Sequence, residues 1–248
     1  MPVPPITLVA FDLDDTLYPE REFVRSGFRV VSDYLVRRGI VDRPLFGALE
    51  AAFDAGVRGD TFNRVLEAAG VRPDPDLIGT LVDVYRSHRS EFGVVRPAIQ
   101  LAVDARCALG DLRRRDLRLG LVSDGPLAAQ EAKVEVLDLG RRFDAVVLTD
   151  TWGPAFWKPH PRGFRELAER LGVPPAGCVY VADNPAKDFA GPAAAGWRPS
   201  VRVRRPGGPH ADAPNPADGS VAATIPDLGA LAGLLDGLPR PRGRPGHA

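Results

Sequence analysis

A doubly wound α/β sheet with an all-helical insertion is the fold class that this sequence predicts, and three observations carry it. Short apolar runs alternate with stretches of helical period, four successive helical stretches interrupt that alternation after the first run, and several runs end abruptly in acidic or polar residues. The first run, residues 6–11, is mostly apolar, which suits a strand buried on both faces of a parallel sheet. Further runs of this kind cover residues 117–122, 145–148, 179–182 and 200–203, and residues 222–225 add a last strand. Helical period marks residues 98–109, 127–137, 161–171 and 186–195, with 227–235 at the end. The expected sheet is mainly parallel and Rossmann-like.

After the first strand, residues 22–38, 44–55, 61–69 and 76–87 read as amphipathic helices separated by Gly or Pro. They make residues 19–92 a helical cap set into a core of residues 1–18 and 93–236. The hinges fall at Tyr18-Pro19 and at residues 91–97, so the cap is expected to move as a body. Residues 204–220, rich in Pro, Gly and Asp, read as an exposed loop, and residues 237–248 as a flexible tail.

Composition narrows the function classes. A chain of 248 residues makes one large domain, or one domain with an insertion, and 44% hydrophobic with 26% charged residues is the mix of a soluble globular protein. Basic and acidic residues balance at 32 each, so no global field draws the chain to nucleic acid or to an anionic membrane. No apolar run approaches the ~18 residues of a membrane span, and Met1-Pro2-Val3-Pro4-Pro5 lacks the features of a secretory signal. A cytoplasmic protein, monomer or homodimer, is expected. Cys107 and Cys178 stand far apart in apolar surroundings and read as buried free thiols. Only three lysines occur, Lys133, Lys158 and Lys187, in a chain whose basic residues are otherwise Arg, so each invites inspection.

In an open parallel sheet, ligands bind outside the carboxyl ends of the strands, so the residues that follow each strand are the candidates for chemistry. Here they are Asp12-Leu13-Asp14-Asp15-Thr16, Ser123-Asp124-Gly125, Trp157-Lys158-Pro159 and Asp183-Asn184-Pro185-Ala186-Lys187-Asp188. Two carboxylates at the end of one buried strand repel each other unless a cation joins them, which favours a functional role for Asp12 and Asp14. Lys158, between Trp157 and Pro159, reads as placed for a purpose. Asp15 reads as a helix N-cap, Lys133 and Lys187 as helix surface charges, and His88, His160, His210 and His247 as structural or exposed.

In this order the motifs resemble the haloacid dehalogenase superfamily of aspartate-nucleophile hydrolases, in the branch with a helical cap between the first two motifs. The resemblance covers residues 6 to about 203. It implies a magnesium-dependent phosphatase that hydrolyses a small phosphate monoester, the phosphorylated metabolite being its partner, through an aspartyl-phosphate. Asp12 is then the nucleophile, Asp14 the acid and base, Ser123 a hydrogen-bond donor to the phosphoryl group, and Lys158 the neutralising cation. The metal ligands implied are the Asp12 carboxylate, the Asp14 carbonyl and Asp183, with Asp188 and Thr16 beside them. Ala182 stands where the family usually has glycine. Dehalogenases of the superfamily lack the acid two residues after the nucleophile, so Asp14 and Asp183 argue for phosphoryl chemistry. The alternatives are a phosphomutase, or a catalytically silent binding or regulatory module.

Overall fold

Every residue of the first strand, Leu8–Phe11 (β1), is buried in the computed structural model, which describes residues 4–88 and 99–236. Its partners are Arg118–Ser123 (β2) on one side and Cys178–Ala182 (β4) on the other, both parallel, with Ala10 level with Gly120 and with Tyr180. Ala145–Leu148 (β3) lies outside β2, while Ser200–Val203 (β5) and Val221–Ile225 (β6) continue beyond β4, giving the order β3-β2-β1-β4-β5-β6 with all pairs parallel. Burial follows that order. The central strands are buried along their length, whereas β6 at the edge alternates between half-buried and exposed positions until Ile225. The strand order reverses between β1 and β4, which opens the crevice for a ligand at their carboxyl ends.

The described residues divide into two compact units. The sheet unit runs to Pro19 and resumes over Gln100–Gln130 and from Leu137. Its core gathers Leu8, Ala10, Phe164, Leu167, Tyr180 and Trp197. Gly120 leaves room there for Leu167, whose Cδ2 would lie 2.5 Å from any Cβ at that position.

The other unit begins at Glu20 and takes in Glu131–Val136 as well. Its helices are Glu20–Arg37 (α1), Phe46–Asp54 (α2), Thr61–Ala68 (α3) and Pro75–Arg86 (α4), within two residues of the expected spans. Asp74 caps α4 by accepting from the backbone N–H groups of Asp76 and Leu77, and Pro75 opens the helix where no N–H is needed. Val31, Leu35, Leu49, Leu66 and Leu81 form its apolar core.

In the sheet unit the helices are Val103–Arg114 (α5), Leu127–Val136 (α6, whose second half belongs to the helical unit), Leu139–Arg142 (α7), Arg162–Arg170 (α8), Ala190–Ala194 (α9) and Leu231–Asp236 (α10). Two differ most from the sequence expectation. α5 is shifted toward the C-terminus, with Asp104 in its first turn and Arg113 and Arg114 in its last, the charges its dipole favours. α9 is short because Asp188 accepts from the Asn184 N–H and Asn184 accepts from the Ala186 N–H, so residues 184–188 turn instead of coiling. Asp15 caps no helix: it takes a left-handed conformation at φ 57° and α1 begins five residues later. The expected hinge at residues 91–97 and the expected tail at 237–248 lie outside the described residues. No helix among the described residues is long and apolar enough to cross a membrane.

Candidate active site

The β1 backbone delivers Asp12 directly to the crevice, where its N–H donates to the Val181 carbonyl of β4 at 3.0 Å. The side chain is buried and its Oδ1 meets Lys158 Nζ at 2.5 Å. Lys158 also lies 2.7 Å from Asp188 Oδ1 and donates to the Tyr180 hydroxyl at 3.1 Å. Asp183 follows β4 and receives a bond from the Thr16 hydroxyl at 3.4 Å. Carboxylate oxygens of Asp12, Asp183 and Asp188 come within 4.8 Å of one another. Five of the residues picked from the sequence, Asp12, Lys158, Asp183, Asp188 and Thr16, thus form one buried cluster.

Ser123 and Asp14 form a second, adjoining group. Ser123 Oγ donates to Gln130 Oε1 at 2.9 Å, and Gln130 Nε2 donates to Asp14 Oδ2 at 3.3 Å. The other Asp14 oxygen accepts from the Tyr18 hydroxyl at 2.5 Å. Asp14 is half-buried where Asp12 is buried, so of these two acids Asp14 is the one that can meet solvent or a leaving group. Gly125 makes this arrangement feasible: its φ is 119°, and a Cβ there would stand 2.8 Å from Gln130 Nε2.

Electrostatics set the protonation states. Burial raises the pKa of Asp12, Lys158 draws it back, and Asp188 raises it again, with a net upward shift. Burial works against the Lys158 ammonium, but Asp12, Asp188, Tyr180 and Asp124 outweigh it and hold the charge far above the usual range. Asp183 is pushed up to about 8 by burial and then by Asp12, Asp188 and Asp15. Among the buried side chains of the site, four carboxylates (Asp12, Asp124, Asp183, Asp188) face two ammonium groups, Lys158 and the half-buried Lys187. That surplus of negative charge, on hard oxygen donors only, fits a divalent cation such as magnesium.

The family profile of the haloacid dehalogenase-like hydrolases matches residues 6–196. This chain belongs to that family. It is 32% identical over 206 residues to glyceraldehyde 3-phosphate phosphatase of Methanopyrus kandleri, covering 81% of this chain and 84% of that one. Phosphoserine phosphatase of Thermus thermophilus is 31% identical over 148 residues, 60% of this chain and 55% of the other. The crystal structure of 2-haloacid dehalogenase from Pseudomonas syringae pv. Tomato DC3000 superposes with a TM-score of 0.61 at 25% identity, covering 93% of this chain and 98% of that one.

As a haloacid dehalogenase-like hydrolase the chain shows several site residues to which the sequence alone assigns no role. Gln130 lies on α6, seven residues past Ser123, in a stretch that reads only as helix. Tyr18, expected only as part of a hinge, donates its hydroxyl to Asp14. Asp124 is a structural hub: its Oδ1 accepts from the Thr149 hydroxyl at 2.6 Å and from the Lys158 N–H at 3.1 Å. Arg202, wholly buried on β5, donates to the Asp183 carbonyl at 3.2 Å and to the carbonyls of His210 and Ala213 at 2.6 and 2.8 Å. The loop at 204–220 is therefore tied to the back of the acid cluster. Arg205 continues the tie, bonding the Thr16 carbonyl at 2.8 Å.

Other expectations change. Lys133 is no surface charge; its side chain is 3% exposed, with Nζ 4.7 Å from the Phe23 ring centre and 4.0 Å from Glu20. Lys187 points to the site, with Nζ 3.9 Å from Asp124 Oδ2. His160 is structural, as expected, its Nδ1 accepting from the Arg162 N–H at the start of α8. Cys178 is buried, its thiol pushed up to about 12 by burial, whereas Cys107 is exposed because it falls on the outer side of α5.

Proposed function

We propose that the chain is a magnesium-dependent phosphatase that hydrolyses a small phosphate monoester through an aspartyl-phosphate on Asp12. The observation that carries this reading is the joining of Asp12, Lys158, Asp183 and Asp188 in one buried cluster with Asp14 held beside it. Relatives named as phosphatases of glyceraldehyde 3-phosphate and of phosphoserine support a small phosphorylated metabolite as substrate. The family also contains dehalogenases, but their chemistry uses neither a metal nor an acid at the position of Asp14.

An Asp12 oxygen attacks phosphorus, the bond from phosphorus to the leaving oxygen breaks, and Asp14 gives that oxygen its proton. Water then attacks phosphorus and passes a proton to Asp14. The bond from phosphorus to Asp12 breaks, inorganic phosphate leaves, and both carboxyl groups return to their starting states. Lys158 neutralises the nucleophile throughout, and Ser123 donates to the phosphoryl group in place of Gln130. Asp12 and Asp183, with the Asp14 carbonyl and with Asp188 beside them, would hold a divalent cation, which would supply charge neutralisation. Hydrolysis of p-nitrophenyl phosphate with magnesium, abolished by EDTA, tests the reading; full activity in EDTA, or none with magnesium, overturns it. A screen of phosphorylated metabolites then identifies the substrate.

A further inference from the structure

Lys187 takes no part in the reaction as derived above, yet its placement is not that of a surface charge. Its side chain is 39% exposed, and its nearest carboxylate oxygen is Asp124 Oδ2 at 3.9 Å, beyond hydrogen-bond length. Among the described residues the ammonium donates no hydrogen bond and has no other ion-pair partner.

The sheet order shows what this side chain crosses. Lys187 springs from the loop after β4, Asp124 follows β2, and β1 lies between those two strands. With neighbouring strands about 4.8 Å apart, a side chain that reaches from the end of β4 to a carboxylate at the end of β2 passes over the end of β1. That end is Asp12. Lys158 approaches the same Asp124 oxygen, at 4.0 Å, but its side chain is 0% exposed. The two ammonium groups therefore bracket the nucleophile, one from the protein interior and one from the solvent side.

The simpler reading, a counter-ion for Asp124, is poorly served by the geometry. Asp124 already holds the Thr149 hydroxyl and the Lys158 backbone N–H on Oδ1 and faces the Lys158 ammonium with Oδ2. Burial and Lys158 weaken the charge on Lys187, while Asp12, Asp188 and Asp124 more than restore it, so it stays an ammonium.

We infer that Lys187 is a second phosphoryl-binding cation, which meets the dianionic phosphoryl group of the substrate, or free phosphate, from the solvent side of Asp12. The inference rests on the phosphatase reading of the site. It also suits lysine in a chain whose basic residues are mostly arginine: a compact ammonium with three rotatable donors fits over a carboxylate better than a wider planar guanidinium.

The test is calorimetric titration of inorganic phosphate into the wild-type protein and the Lys187→Gln variant in magnesium buffer, with p-nitrophenyl phosphate kinetics in parallel. Loss of one charge-assisted contact should weaken phosphate binding roughly ten-fold or more and raise KM in step, with a smaller effect on kcat. Lys187→Arg should recover part of the affinity. Magnesium titrated without phosphate should bind Lys187→Gln at least as tightly as wild type, because a cation beside the acids has been removed. Equal phosphate affinity in wild type and Lys187→Gln overturns the inference, as does weakened magnesium binding in the variant, which would make Lys187 a support of the acid cluster. An inactive wild-type protein that still binds phosphate through Lys187 would overturn the phosphatase reading and leave this inference standing.

Discussion

The core of the helical unit and the carboxyl ends of β1 and β4 are equally buried and are built on opposite terms. In the helical unit Val31, Leu35, Leu49, Leu66 and Leu81 bury apolar surface, each contact contributing to stability. At the strand ends Asp12, Asp183, Asp188 and Lys158 are buried, and burial alone works against the charge on Asp12, Asp183 and Lys158. The first region stabilises the fold. The second draws on stability supplied elsewhere, and its geometry makes sense as preparation for chemistry.

The contrast can be broken at several points. The largest effect belongs to Asp12→Asn: on the proposed mechanism turnover of p-nitrophenyl phosphate falls roughly a thousand-fold or more while Tm holds or rises. Wild-type-like hydrolysis would remove Asp12 from the mechanism. Lys158→Met leaves Asp12 and Asp188 buried without their cation and should cost about 3–5 kcal/mol in urea unfolding. A loss under about 1 kcal/mol would mean that the pair is not dry.

Leu81→Ala, in the apolar core of the helical unit, should cost about 2–5 kcal/mol and leave the magnesium-binding midpoint unchanged. A shifted midpoint would show that the two regions are coupled energetically.

Asp183→Asn gives a smaller effect of opposite sign. The folded-state pKa of Asp183, about 8, lies above its unfolded value, so the native state binds the extra proton. Stability of the metal-free protein therefore falls as pH rises through the window from about 4 to 8. The amide removes that penalty. Metal-free Asp183→Asn should melt a few degrees above wild type near pH 8, and magnesium should no longer raise its Tm; a lower Tm without metal would contradict the strained-cluster account. The smallest effect is expected at the exposed Arg64–Asp60 pair at the start of α3, where Arg64→Ala should cost about 0.3–0.5 kcal/mol.

The same contrast explains what the sequence could disclose. The helices of the insertion follow from a periodicity of 3.6, because apolar burial is written locally and repeats along the chain. Asp12, Asp14, Ser123, Lys158 and Asp183 were legible because each directly follows a strand or stands in a motif of fixed order. Gln130 and Arg202 were not, and Asp124 and Lys187, though they stand in those strand-following segments, disclosed no role. Their roles depend on which strands are neighbours: Lys187, on the loop after β4, comes within 3.9 Å of Asp124 after β2 with β1 between those strands, and Arg202 reaches the Asp183 carbonyl only because β5 is next to β4. Asp15 misled for a local reason, since a left-handed turn, which no periodicity announces, separates it from α1.

The central claim is that the buried acid at the end of β1 becomes phosphorylated during turnover. Acid-quenching the protein in the steady state with p-nitrophenyl phosphate and magnesium, followed by peptide mass spectrometry, tests it directly. The account predicts that the peptide containing Asp12 gains the mass of one phosphoryl group, that the label maps to Asp12, and that it is absent from Asp12→Asn. Steady turnover with no phosphorylated Asp12, or with the phosphoryl group on another residue, would contradict it.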